Sequence, residues 1–125
     1  MAVECTCVFG GVGSLKETEL VAQRGNDNFF DFDILNNDLD VADLLWFRVA
    51  TKQDFLTDAD AEFVKTRSGG IADVDAPNGI FQVQLEPGDV ATLEDGAYVF
   101  HCVIRKADAN MDTTLARGVM RLTGP

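Results

Sequence analysis

The chain has 125 residues, 46% of them hydrophobic with nine Phe, a composition that excludes a disordered polymer and suits one domain with a single closed core. Twenty-one acids against ten bases give a net charge of −11, and a surface of that sign repels phosphate backbones and argues against direct nucleic-acid binding. No apolar run reaches membrane-spanning length, which argues against a membrane partner.

The charge is uneven: residues 1–62 hold 13 acids and 4 bases, and residues 63–125 hold 8 and 6. An acidic half fits solubility or docking against a basic partner patch. The N-terminus lacks a basic-then-apolar signal pattern, so the expectation is a chain made in the cytoplasm and not exported by such a signal. Three cysteines are an odd number; Cys5 and Cys7 are too close for an ordinary disulfide and lack the second pair a zinc site wants.

In chain order, residues 1–15 read as an N-terminal arm and hinge, and 16–125 as the domain body. The segment AVECTCVFG is β-prone, and the GGVG that follows supplies backbone freedom for a hinge. Such an arm pairs with its own sheet edge or with a neighbour's, and both readings stay open. Glu19–Arg24 reads as the first body strand, with Leu20 and Ala22 on one face. A turn at Gly25–Asn28 leads into FFDFDI, where Phe30, Phe32 and Ile34 alternate with Asp31 and Asp33.

Residues 36–43 form a polar connection. In LLWFRVA, from Leu44 to Ala50, Leu45, Phe47 and Val49 share one face while Leu44, Trp46 and Arg48 share the other. The single Trp is therefore a core residue or an interface anchor. Residues 52–60 read as a loop, 61–66 and 71–74 as short strands around the Arg67–Gly70 turn, and 75–78 as another turn.

Residues 79–105 organise the whole. Phe81, Val83 and Leu85 alternate with Gln82 and Gln84; Tyr98, Phe100, Cys102 and Ile104 share a face opposite Val99 and Val103. Burying each large inward side chain stabilises the fold by roughly 1.5–3 kcal/mol. Residues 89–93 suit a single helical turn. The last strand spans 113–122, where Gly118 predicts a bulge or a close backbone approach. Seven or eight short strands at roughly ten-residue spacing predict an all-β, antiparallel, Ig-like sandwich with a short N-terminal arm.

Chemistry is sparse. The one His, His101, neighbours Cys102, but adjacent strand residues point to opposite faces, so a Cys-His dyad is not expected. Cys102 reads as a small buried hydrophobe. No phosphate loop, Gly-x-Ser-x-Gly or His-Glu-x-x-His occurs, and neither enzymatic activity nor a cofactor is expected. An EF-hand register started at Asp31 fails at its fifth, sixth and twelfth positions, Leu35, Asn36 and Ala42. A looser calcium site using Asp38, Asp40 or Asp43 stays open beside the plainer reading of a solvated acidic loop. Leu93–Tyr98 resembles the approach to the immunoglobulin tyrosine corner, although Cys102 lies four residues after the Tyr rather than two.

The order of signals carries a resemblance: QRGND, a Phe-rich strand, LLWFRVAT, SGGI, GIFQVQLEPGDVATLEDGAYVFHCVIR, then a strand ending RLT. Over residues 16–123 it is similar to the Ig-like sandwich domains of bacteriophage virions. In particular it resembles the N-terminal domain of phage baseplate upper proteins and related tail and fibre domains. The resemblance implies a non-enzymatic virion protein, assembled in the host cytoplasm and present in many copies or as a homo-oligomer. Its implied partners are major capsid, tail or fibre proteins. Ending at Pro125, the chain is expected to be an accessory piece, a capsid decoration protein or a tail, fibre or baseplate adaptor. The candidate interface comprises Val3, Val8 and Phe9 of the arm with Leu44 and Trp46, since aromatic anchors are enriched at interfaces. The alternative is a receptor- or carbohydrate-binding sandwich, with or without calcium in the acidic loop.

Overall fold

Alternation along each segment becomes layering in the computed structural model, which describes residues 2–9, 16–34, 39–40, 42–51, 61–107 and 112–124. The strands are β1 (Ala2–Phe9), β2 (Lys16–Gln23), β3 (Asp27–Ile34), β4 (Leu44–Ala50), β5 (Phe63–Thr66), β6 (Ile71–Asp75), β7 (Ile80–Leu85), β8 (Gly96–Arg105) and β9 (Asp112–Thr123). A single helical turn, α1 (Pro87–Val90), joins β7 to β8, and a 3-10 turn at Ala76–Asn78 joins β6 to β7. Four strands in the order β1-β3-β7-β6 face five in the order β2-β9-β8-β4-β5. The all-β sandwich expected from the spacing is present.

Two pairings were not foreshadowed by the turn signals. β1 runs parallel to β3, from Ala2↔Asp27 to Phe9↔Ile34, and β2 runs parallel to β9, from Lys16↔Ala116 to Gln23↔Thr123. Hairpin turns report pairing between sequence neighbours, whereas these partners meet only when the sheets close. The N-terminal segment thus forms an edge strand of the four-stranded sheet of its own chain. The glycines at 10–13 and the loop at 52–60 lie outside the described residues.

The core is the interface between the two inner faces. Leu20, Ala22, Phe30, Phe32, Leu45, Phe47, Val49, Phe81, Val83, Leu85, Phe100, Cys102, Ile104 and Met120 are all at most 2% exposed. Phe47 of the five-stranded layer lies 6.2 Å from Phe30 and 6.1 Å from Phe32 of the other, and stacks at 5.6 Å on Phe100. Phe32 in turn stacks on Phe81 at 5.2 Å. Val90 of α1 is fully buried, and Lys65 of β5 pairs with Asp89 of α1 at 2.6 Å, closing that end of the sandwich.

The bulge expected at Gly118 lies elsewhere. Gly118 stays in register opposite Phe100, and the shift falls between Cys102↔Ala116 and Val103↔Thr114, which makes Leu115 the extra residue. The physical reason is burial: the inserted residue breaks strict alternation, so consecutive Leu115 and Ala116 are both fully buried. Gly25 at φ 86° and Gly79 at φ 73° occupy turns that need the left-handed region, which other residues enter only with strain.

Candidate protein-interaction face

β4 presents the candidate anchors because its period places them outward. Leu45, Phe47 and Val49 fill the core, so Leu44, Trp46 and Arg48 must line the outer face of the five-stranded sheet. Leu44 is 46% exposed and Trp46 half-buried. Trp46 pairs across the sheet with Val103 of β8 and Thr66 of β5. Val103 is only 4% exposed although it lies on the outer face. The Trp ring is flanked by two guanidinium groups, Arg48 with its Cζ 5.3 Å from the ring centroid and Arg105 at 5.6 Å. Both fall within the range of cation–π attraction, which holds the ring in place on the sheet.

The chain enters β4 through a tightly bonded corner. The Asp43 side chain has no exposed surface and accepts hydrogen bonds from Lys106 Nζ at 2.5 Å, from the Ala107 N–H at 2.8 Å and from the Asp40 N–H at 2.9 Å. Desolvation alone would raise its pKa, but the Lys106 bond, the two backbone donors and the Lys106 charge outweigh it and hold the carboxyl below its ordinary 3.8. Arg67 of the β5–β6 turn donates to the Asp40 and Asp43 carbonyls at 2.7 and 2.8 Å and pairs with Asp73. An open groove of about 570 Å³ beside Leu44 and Trp46 is also lined by Thr66, Ser68 and Asp73.

These bonds bear on the calcium reading. Asp43 spends its carboxylate on Lys106 and two amides, and Asp40 Oδ1 accepts from the Ala42 N–H, so a cation there would have to displace an ammonium group. Asp38 lies outside the described residues. His101 and Cys102 stand on opposite faces of β8, His101 opposite Arg48 on the outer face and Cys102 opposite Phe47 in the core. No dyad forms between them. Burial, followed by the charges of Arg117 and Arg48, lowers the His101 pKa below its ordinary 6.5.

The candidate interface residues do not converge on one surface. Leu44 and Trp46 share the outer face of the five-stranded sheet. Val3, Val8 and Phe9 sit on β1 at the edge of the other sheet, in register with Asn28, Asp33 and Ile34. Sequence reasoning missed two structural residues. Lys106 sits in a polar stretch and gives no signal of its buried partner. Asn28 is fully buried and closes the β2–β3 turn, accepting from the Gln23 N–H at 2.9 Å and donating to the Gln23 and Asn26 carbonyls. Its place in a Gly-Asn-Asp-Asn run was the available hint.

The Tyr98 hydroxyl donates to the Glu94 carbonyl at 2.7 Å, four residues upstream. No protein-family model matches the chain, and no curated protein matches it in sequence. Among solved structures, the N-terminal domain of phage TP901-1 ORF48 superposes with a TM-score of 0.60 over 98% of both chains, at 10% identity. The cysteine protease inhibitor EhICP2 from Entamoeba histolytica aligns over 99% of this chain and 97% of its own, at 9% identity and a TM-score of 0.39, too low to argue from. The similarity to the phage domain is one of fold, and it extends over almost every residue of both chains.

Proposed function

We propose that this chain is a non-enzymatic structural protein of a bacteriophage virion, one that docks onto other virion proteins as an adaptor or decoration subunit. The observation that carries this reading is the end-to-end likeness of its fold to the N-terminal domain of a phage protein, over 98% of each chain. The docking face is the outer surface of the five-stranded sheet. Leu44 and the Arg-flanked Trp46 supply the apolar anchor there, and the groove beside them receives a partner side chain. A β-sandwich suits the task because its strands are fixed by a shared core, so an anchor on one sheet loses little freedom on binding.

The test is an inventory of particles. Mass spectrometry of density-purified virions should find this polypeptide at a defined copy number per particle, and gold-labelled antibody should mark one site on them. A chain abundant in the lysate but missing from intact particles would defeat the proposal.

A further inference from the structure

Among the described residues, β1 and β6 end one sheet and β2 and β5 end the other, each with one open edge. An open edge is a row of N–H and C=O groups ready to pair with another chain, and folded proteins usually blunt it. β5 is blunted by being only four residues long, and β6 by a register shift at Val74, with Asp73 and Asp75 on either side. β2 has neither device. Its eight residues contain no Pro or Gly and run in unbroken register with β9, from Lys16↔Ala116 to Gln23↔Thr123. Val21, on the outer side of β2, is 43% exposed.

Hydrogen bonds at the end of β2 fix which backbone groups face its open edge. The Arg24 N–H donates to the Thr123 carbonyl at 2.8 Å, so the even-numbered residues turn their backbone groups toward β9. Backbone groups alternate in direction along a strand, so those of Glu17, Glu19, Val21 and Gln23 point the other way. Gln23 is already satisfied there: its N–H donates to Asn28 Oδ1 at 2.9 Å, and its carbonyl accepts from Asn28 Nδ2 at 3.0 Å. Among the described residues this leaves Glu17, Glu19 and Val21 as the open row.

We infer that the chain pairs with a second copy of itself through β2, antiparallel about a two-fold axis, joining the two five-stranded sheets into one continuous sheet. A second copy fits because one register makes β2 complementary to itself. Centring the axis on Thr18 or Glu19 sets glutamates directly opposite one another, which is destabilising. Centring it on Val21 or Ala22 calls on the backbone of Gln23, which Asn28 already holds. Centring it on Leu20 avoids both. Glu19 of each copy then faces Val21 of the other, each such pair exchanges both backbone hydrogen bonds, and the two Leu20 residues meet on the core side. Glu19 enters the contact with its charge balanced by Arg121 at 2.9 Å. β9 and β8 lie between β2 and β4, so Leu44 and Trp46 stay open, and the pair presents both copies of that anchor on one sheet. The inference goes beyond the virion role and is tested on the purified chain without particles, so the two can fail separately.

The experiment is sedimentation velocity on the full chain, with residue-resolved amide exchange by NMR at low and high protein concentration. The chain should show a monomer–dimer equilibrium. The Glu19 and Val21 amides should slow about tenfold or more as dimer forms, while amides of β5 and β6 keep their rates. Val21→Pro deletes an N–H that points away from β9, a substitution an edge strand accepts, and should leave a folded monomer. Val21→Lys should also be monomeric and carries the test if the proline variant does not fold, with folding checked by circular dichroism. Val74→Lys, on the blunted β6 edge, should dimerise like the wild type. A chain that stays monomeric at high concentration, or a dimer whose Glu19 and Val21 amides gain no protection, would overturn the inference. So would folded Val21 variants that dimerise as the wild type does, or loss of the dimer in Val74→Lys.

Discussion

The ring of Phe47 lies 6.1 Å from that of Phe32, across the gap between the two sheets. Phe47 also meets Phe30 and Phe100, so one side chain links three others drawn from both layers. Replacing it with Ala removes a fully buried ring and leaves a cavity at the centre of the sandwich. The expected cost is about 3–5 kcal/mol, read as a lower urea midpoint with the slope unchanged. A cost under about 1 kcal/mol would show that the two layers do not meet through this residue.

Acidification should lower stability in two separate ranges. His101 has its pKa lowered in the folded chain, so the unfolded chain binds the extra proton more readily. Its contribution is complete above the ordinary 6.5 and is lost as pH falls from there through the folded value. Asp43 is also lowered, from 3.8, and its contribution is complete above that value and lost as pH falls through the folded value. Urea midpoints measured across pH should therefore drop in a first step that His101→Gln removes. A second step at lower pH should be reduced in Asp43→Asn, whose midpoint near neutral pH should already lie below that of the wild type. A pH profile unchanged by His101→Gln would refute the first assignment.

The Tyr98 hydroxyl is the tie between the start of β8 and the connection before it. Tyr98→Phe keeps the ring in the core and deletes only that bond to the Glu94 carbonyl. The expected loss is about 0.5–1.5 kcal/mol, with faster amide exchange around residues 94–97. Equal stability and equal exchange would mean that the bond closes nothing.

Leu44 offers the cleanest separation of docking from folding. It is 46% exposed and lies on the outer face, whereas its neighbour Leu45 fills the core. Leu44→Ser should shift stability by no more than about 0.5 kcal/mol while reducing recovery of the chain in purified particles. Trp46→Ala should reduce recovery further, and because the ring covers Val103 it should also lower the thermal midpoint. Undiminished incorporation of both variants would move the docking face away from β4.

Much of the body was legible in advance for a plain physical reason: alternation with period two records which side of a strand is dry. Phe30 and Phe32 of FFDFDI and the inward residues of LLWFRVA and IFQVQL were placed correctly, and LLWFRVA had both boundaries right, from Leu44 to Ala50. Trp46 remained ambiguous because a strand apolar on both faces is compatible with a covered or an open outer surface. The helical turn was expected at residues 89–93 and begins at Pro87, where the fixed ring torsion suits a first helical position. The Leu115 bulge was misplaced at Gly118 because glycine was the visible irregularity, whereas the shift serves burial of two consecutive apolar residues.

By itself the sequence determined the strands, their inward faces, the all-β class and the acidic balance, because each depends on near neighbours along the chain. Only the tertiary structure decided the parallel pairings of β1 with β3 and β2 with β9, the burial of Asp43 against Lys106, and the position of Trp46 between two arginines. These are relations between residues far apart in sequence, and local patterning carries no record of which strands close side by side.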